Sequence, residues 1–143
     1  MKIGIDTNVL FYFLNKDNPF HKEVRETLPV LVENQWAVIT QQNLVELSAV
    51  LTRRGLNTKV TEKYLRSFAE AIPVLKPTAD TIEIFLKQIR KRSIKGSKVF
   101  DIYLVATLIS NGVNKLYTYN EKDFIEIEEI YLWKPSEELS LKK

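Results

Sequence analysis

A chain of 143 residues with 45% hydrophobic and 27% charged content has the composition of an ordinary globule, long enough to bury one core. The absence of cysteine and the single histidine exclude disulfides, thiol nucleophiles, cysteine-ligated zinc and two-histidine metal sites. The net charge of +3 is weak by itself, and no apolar run nears the roughly 18 residues that cross a bilayer. Met1 leads straight into strand-like sequence with no basic and apolar leader, so a cytoplasmic chain without membrane contact is expected.

Lys2 to Asp6 alternates Ile3 and Ile5 with Gly4 and reads as a short strand. Val9 to Leu14 begins a helix that Thr7 or Asn8 can cap. Lys16-Asp17-Asn18-Pro19 is a turn signal, and His21 just after it is expected at the surface of a helix's first turn. Val24, Leu28, Leu31 and Val32 have helical spacing from Phe20 to about Asn34, with Pro29 a kink or break. Trp36 to Ile39 is a strand, and Gln41 to Arg54 a helix stopped by Gly55.

Thr58 or Thr61 can cap a helix that runs to about Ala71, and Pro73 to Leu75 is briefly extended. Thr78 to Arg92 is helical, with Ile82, Phe85, Leu86 and Ile89 on one face. Gly96 breaks the chain, and Ser97 can cap a helix from Val99 to Ser110, apolar nearly all round and so buried on most sides. Asn111-Gly112 ends it. Lys115 to Tyr119 is a strand, Glu121 to Phe124 a helical turn, and Ile130 to Trp133 a last strand.

Strands alternating with helices predict an α/β fold, a three-layer α/β/α sandwich around a mainly parallel sheet of four to five strands. Residues 1–134 read as one domain, and 135–143 as a mobile tail. In such sheets the functional crevice lies at the carboxyl ends of the strands. Asp6 closes the first strand and Asp123 follows the fourth, so both fall at that edge.

Four isolated carboxylates carry the chemistry: Asp6, Glu46, Asp101 and Asp123. Asp101 is the strongest, as the only charge from Val99 to Ala106. A dipole-stabilised Asp in a first helical turn explains that the charge is tolerated, but not its setting among Val99, Phe100 and Ile102. Asp6 taken alone can be a helix cap, Glu46 a solvated helix residue and Asp123 ordinary turn chemistry with Asn120. If the four meet, their repulsion demands a cation, and carboxylates around a hard divalent ion are the machinery of phosphodiester hydrolysis.

Removing four from the 18 acids leaves 14 against 21 basic residues, a remaining surface near +7 that favours a polyanion. Lys87, Arg90, Lys91, Arg92, Lys95 and Lys98 occur with no acid between Ile84 and Phe100. The same run also reads as a solvated helix end. With only Gly4, Gly55, Gly96 and Gly112, neither a P-loop nor a dinucleotide fingerprint can be written.

At these residues the chain resembles the PIN-domain ribonucleases, and among them the toxins of VapC-type toxin–antitoxin pairs. Ile-Asp-Thr-Asn at Ile5 to Asn8 is similar to the opening motif. Glu46 with Arg53 resembles the second, Phe-Asp-Ile-Tyr-Leu-Val-Ala at Phe100 to Ala106 the third, and Thr118, Asn120 and Asp123-Phe124 the fourth. Some relatives have an acid where Asn120 stands, which makes a second metal position less secure. The resemblance implies a doubly wound fold, usually dimeric, that cuts single-stranded RNA or structured RNA loops with Mg²⁺ or Mn²⁺ and is held by a cognate antitoxin.

It further implies that Asp6, Glu46, Asp101 and Asp123 hold one or two cations, directly or through water, and that the metal activates the attacking water. Thr7, Asn8, Thr118 and Asn120 would orient ligands or phosphate. Arg53, Arg54, Arg90, Arg92, Lys95 and Lys98 are candidate contacts to the RNA backbone, and Val9 to Leu14 with Leu44 to Leu51 a candidate dimer interface. RNA processing without a toxin role, or a binding module without catalysis, remain the alternatives. An aspartate-nucleophile phosphatase is disfavoured, since it normally wants a second acid where Asn8 stands.

Overall fold

The computed structural model describes residues 1–136. The C-terminal tail expected from Pro135 onward therefore lies outside the described residues from residue 137. Five strands, β1 (Ile3–Ile5), β2 (Ala37–Thr40), β3 (Val74–Leu75), β4 (Lys115–Tyr117) and β5 (Tyr131–Trp133), form one sheet in the order β3-β2-β1-β4-β5. Every pairing is parallel. The order turns at β1, which continues to β2 on one side and receives β4 on the other. The end of β1 is thus a topological switch point, where open α/β sheets form their crevice.

Period-two alternation divides the sheet between two cores. Ile3, Ile5, Ala37, Ile39, Tyr117 and Trp133 face one side. There they pack with α1 (Thr7–Leu14), α2 (His21–Glu33), α3 (Gln41–Arg53) and α4 (Thr58–Ala71). Val38 and Leu116 face the other side, towards α6 (Lys98–Ser110), with Phe85 of α5 (Thr81–Arg90) packed against that cluster. Two helical layers on a parallel sheet are the expected three-layer sandwich. Gly4 belongs to the second face: a Cβ there would lie 2.7 Å from a Leu108 methyl, so α6 can approach β1 closely only because residue 4 has no side chain.

Helix α6 is buried at Ile102 and from Leu104 to Leu108, as its apolar sequence predicts. Other details differ from expectation. Helix α1 starts at Thr7, and its cap is Asp6, whose Oδ1 accepts from the Thr7 N–H. Thr40 and Asn43 form a reciprocal capping box on α3. Asn57, rather than Thr58 or Thr61, caps α4, because its side chain can reach the Val60 N–H. Ser97 takes the cap position of α6 without a side-chain bond.

Pro29 does not break α2; it sits exposed inside a continuous helix, where solvent can serve the carbonyl it leaves unpaired. Helix α5 buries Thr81 and Gln88, leaving Ile82 and Leu86 exposed. The apolar periodicity placed its face about a third of a turn away. His21 is half-buried, its Nδ1 2.7 Å from the Tyr12 carbonyl.

Candidate functional site

Asp6, Glu46 and Asp101 come from the end of β1, the middle of α3 and the first turn of α6, and they line one cleft of about 440 Å³. Thr7, Asn8, Arg54 and Asn120 line it too. Asp123 lies in the 3-10 turn Glu121–Asp123 and does not line the cleft, but its charge acts on both Asp6 and Asp101. Asp101 therefore feels the charges of all three other carboxylates singled out in the sequence, and Asp6 those of Glu46 and Asp123.

The β1–α1 junction holds Asp6 tightly. Oδ1 accepts from the Thr7 N–H at 2.8 Å. Oδ2 accepts from the Thr118 hydroxyl at 2.7 Å and from Asn8 Nδ2 at 3.2 Å. Asn8 also accepts from the Tyr119 N–H at 3.3 Å, which ties the start of α1 to the end of β4. Thr118 Oγ1 accepts from the Asn120 N–H at 3.0 Å. Burial still wins over these bonds and pushes the Asp6 carboxyl up to about 6, with Glu46 and Asp123 adding to the rise.

Glu46 is held by a relay that begins in a cap. Asn43 is fully buried; its Oδ1 accepts from Thr40, and its Nδ2 donates to the Thr7 hydroxyl at 3.0 Å. Thr7 in turn donates to Glu46 Oε1 at 2.9 Å. Gln42 Nε2 reaches Glu46 Oε2 at 3.4 Å and the Phe100 carbonyl at 2.7 Å, linking α3 to α6. Asn43 and Gln42 were not among the candidate site residues. The Gln41-Gln42-Asn43 run directly after an apolar strand was the available signal, since three amides there need partners.

Asp101 differs, because its carboxylate accepts no hydrogen bond among the described residues. Burial, followed by the charges of Asp6, Asp123 and Glu46, pushes it up to about 7, with Lys98 opposing. Half-buried, unbonded and repelled by three neighbours, it is the group in most need of a cation.

All these donors are hard oxygens, as Mg²⁺ or Mn²⁺ prefers. Among the described residues, however, no three acidic side chains stand at ligating spacing. The arrangement fits a hard cation held by one or two carboxylates with water completing its shell, the usual habit of Mg²⁺. Asp6 and Asp101 would be the direct ligands, with Glu46 and Asp123 acting through water.

The expected basic contacts divide. Arg54 lines the cleft, its guanidinium 4.7 Å above the Phe11 ring, a cation–π seat that holds the charge at the rim. Arg53, Arg90 and Lys95 are exposed, and Lys98 stands beside Asp101. Arg92 is committed within the fold, where it donates to the Gln88 side chain and, at 2.9 Å, to the Glu126 carbonyl. Lys91 pairs with Glu129 at 2.8 Å. Val9 and Leu10 of the candidate interface are core, as are Leu47 and Leu51, while Val45 in the second segment is exposed.

The PIN domain family model matches residues 3–130. The chain therefore belongs to the PIN-domain family. No curated protein sequence matches it. Among solved structures it is similar to VapBC2 from Rickettsia felis bound to a DNA fragment from its promoter, with TM-score 0.73, 21% identity, and coverage of 94% of this chain and 100% of that one. It is similar to VapBC-1 from nontypeable Haemophilus influenzae, with TM-score 0.72, 20% identity and coverage of 96% and 100%. VapC20 of Mycobacterium tuberculosis, a sarcin-ricin loop cleaving toxin, aligns with TM-score 0.68, 16% identity and coverage of 88% and 95%. At such identities the likeness is one of fold.

Proposed function

We propose that this PIN-domain protein is a divalent-metal-dependent endoribonuclease of single-stranded RNA or structured RNA loops, acting in the cytoplasm as a toxin that a cognate antitoxin restrains. The observation that carries it is the meeting of Asp6, Glu46 and Asp101 in one cleft at the switch point of the sheet. A cation bound there would supply charge stabilisation for a phosphodiester transition state and acidify water. Asp6 and Asp101 hold the ion, and the Asn43–Thr7 relay fixes Glu46 where it can take a proton from the attacking water. Thr118 and Asn8 fix the Asp6 rotamer, Asn120 orients substrate at the cleft margin, and Arg54 steadies the phosphate.

The toxin reading is supported by the neighbours in fold, which include VapBC complexes, FitAB bound to DNA and a loop-cleaving VapC. A homodimer is supported by Val45 and Phe100, which are 68% and 59% exposed. No helix among the described residues is long and apolar enough to cross a membrane. Incubating pure protein with mixed RNA in Mn²⁺, Mg²⁺ or excess chelator tests the activity. Cleavage that persists in chelator, or in Asp101→Asn, would remove the proposal. Growth arrest on expression, relieved by a co-expressed neighbouring small protein, tests the toxin role.

Among the described residues no three acids stand at ligating spacing, which favours one second reading, a PIN module that only binds RNA. Calorimetric titration with Mn²⁺ separates the two, since such a module shows no binding that depends on Asp6 and Asp101.

A further inference from the structure

A second cleft, of about 520 Å³, adjoins the carboxylates and shares Asn120 with their cleft. It lies at the carboxyl ends of β4 and β5, so the crevice continues along the sheet edge beyond β1. Its volume is that of a small-molecule site. Its walls are aromatic: Phe20, Tyr117, Tyr119 and Trp133.

Three features indicate what it takes. First, Phe20 is a large ring left 43% exposed, stacked on Tyr119 with centroids 4.3 Å apart and planes 21° from parallel. Tyr119 is itself fixed: its hydroxyl donates to Glu23 at 2.5 Å, so the Tyr117 hydroxyl must donate to it at 2.7 Å. Burial and these bonds raise the Tyr119 phenol far above its ordinary range, so it stays neutral. The ring stack is a rigid platform whose ordering cost is already met in the free protein.

Second, Trp133 is almost fully buried in this wall and packs edge-on to Tyr117 with ring centroids 5.3 Å apart, so the apolar floor of the cleft is fixed. Third, Glu23 and Glu121 line the cleft together with Lys122 and Lys134, and Lys134 is already paired with Glu121 at 3.3 Å. These charges balance, so the aromatic wall rather than a net charge sets what the cleft takes. A flat, uncharged group fits such a wall.

We propose that this aromatic cleft seats an unpaired nucleobase of the RNA strand whose phosphate lies at the carboxylates, a reading that rests on the nuclease function above. Stacking on Phe20 tolerates any base.

The test uses the full chain in chelator, with a single-stranded oligoribonucleotide selected by binding from a random pool and copies of it carrying one abasic site each. Phe20→Leu keeps apolar bulk but removes the π face, and Phe20→Trp restores it. Phe20→Leu should weaken the intact strand roughly 5- to 150-fold. One abasic position should weaken wild type by the same factor and cost Phe20→Leu nothing more, while Phe20→Trp binds as wild type. Circular dichroism confirms that each variant is folded.

Wild-type affinity in folded Phe20→Leu, losses equal at every abasic position, or losses that simply multiply would overturn the base seat. If wild type cleaves RNA in Mn²⁺ while any of these holds, the seat alone falls. If the pool yields no ligand and no RNA is cut, the nuclease reading falls and takes the seat with it.

Discussion

Two ends of the same cleft treat their carboxylates in opposite ways. At the β1–α1 junction, Asp6 is buried yet accepts three hydrogen bonds and caps a helix. At the start of α6, Asp101 accepts none among the described residues and is repelled by three neighbours. Asp6 is a structural member that also faces the site. Beyond its place in the first turn of α6 and the nearby Lys98, Asp101 has no partner among the described residues to offset that repulsion, as expected of a group kept for function.

The comparison breaks most sharply on substitution. Asp6→Ala and Asp101→Asn should each lower RNA cleavage by roughly 10³-fold or more, measured by single-turnover assay. Their stabilities should diverge. Asp6→Ala strands the Thr7 N–H and the Thr118 hydroxyl and should lose about 1–2 kcal/mol in denaturant titration. Asp101→Asn should keep or gain about 1 kcal/mol, a figure already reduced for its half-exposed position. Equal destabilisation by both would erase the distinction.

Next in size is the relay. Thr7→Val keeps the shape of residue 7 but cuts the bridge from Asn43 to Glu46. A 10- to 100-fold fall in kcat/KM is expected, carried by kcat. An unchanged kcat would show that Glu46 needs no such support.

The pH dependence of the metal-free protein sharpens the contrast further. Asp6 and Asp101 have folded pKa values of about 6 and about 7 against an ordinary 3.8. The folded protein therefore keeps protons that the unfolded chain has released. That contribution is complete below about pH 4 and is lost as pH rises through 6 and 7. In chelator the thermal midpoint should fall between pH 5 and pH 8, less steeply in Asp101→Asn. Mn²⁺ should raise the midpoint more at pH 8 than at pH 5. A midpoint rising with pH in chelator would contradict the burial account.

The smallest effect is expected away from the cleft. Lys91 lowers the Glu129 carboxyl to about 2, but the pair is partly open to solvent, with side chains 44% and 32% exposed, and screening limits it to about 1 kcal/mol. Glu129→Gln should shift the denaturation midpoint by no more than that and leave cleavage unchanged.

Elements with one strong signal were legible in advance. The apolar run of α6, the alternation of β1 and the isolation of Asp101 each predicted their structural setting. Partners that depend on packing were not legible. Ile82 and Leu86 looked like a core face, but α5 turns Thr81 and Gln88 inward, because its contact with α6 is set by neighbours rather than by its own periodicity. Arg92 and Arg90 are alike in sequence, and the Gln88 side chain and the Glu126 carbonyl separate a latch from an exposed cation.

The order of short-range patterns along 143 residues determined the parallel α/β class and the placement of Asp6 and Asp101 at element ends, since both follow from local periodicity and from the cost of burying an unpartnered charge. Only the tertiary structure decided that residues 6, 46 and 101 share a cleft, that Thr7 bridges Asn43 to Glu46, and that Phe20 lies over Tyr119. Those pairings span dozens of residues and depend on which strand lies beside β1, a global choice of topology that no local pattern encodes.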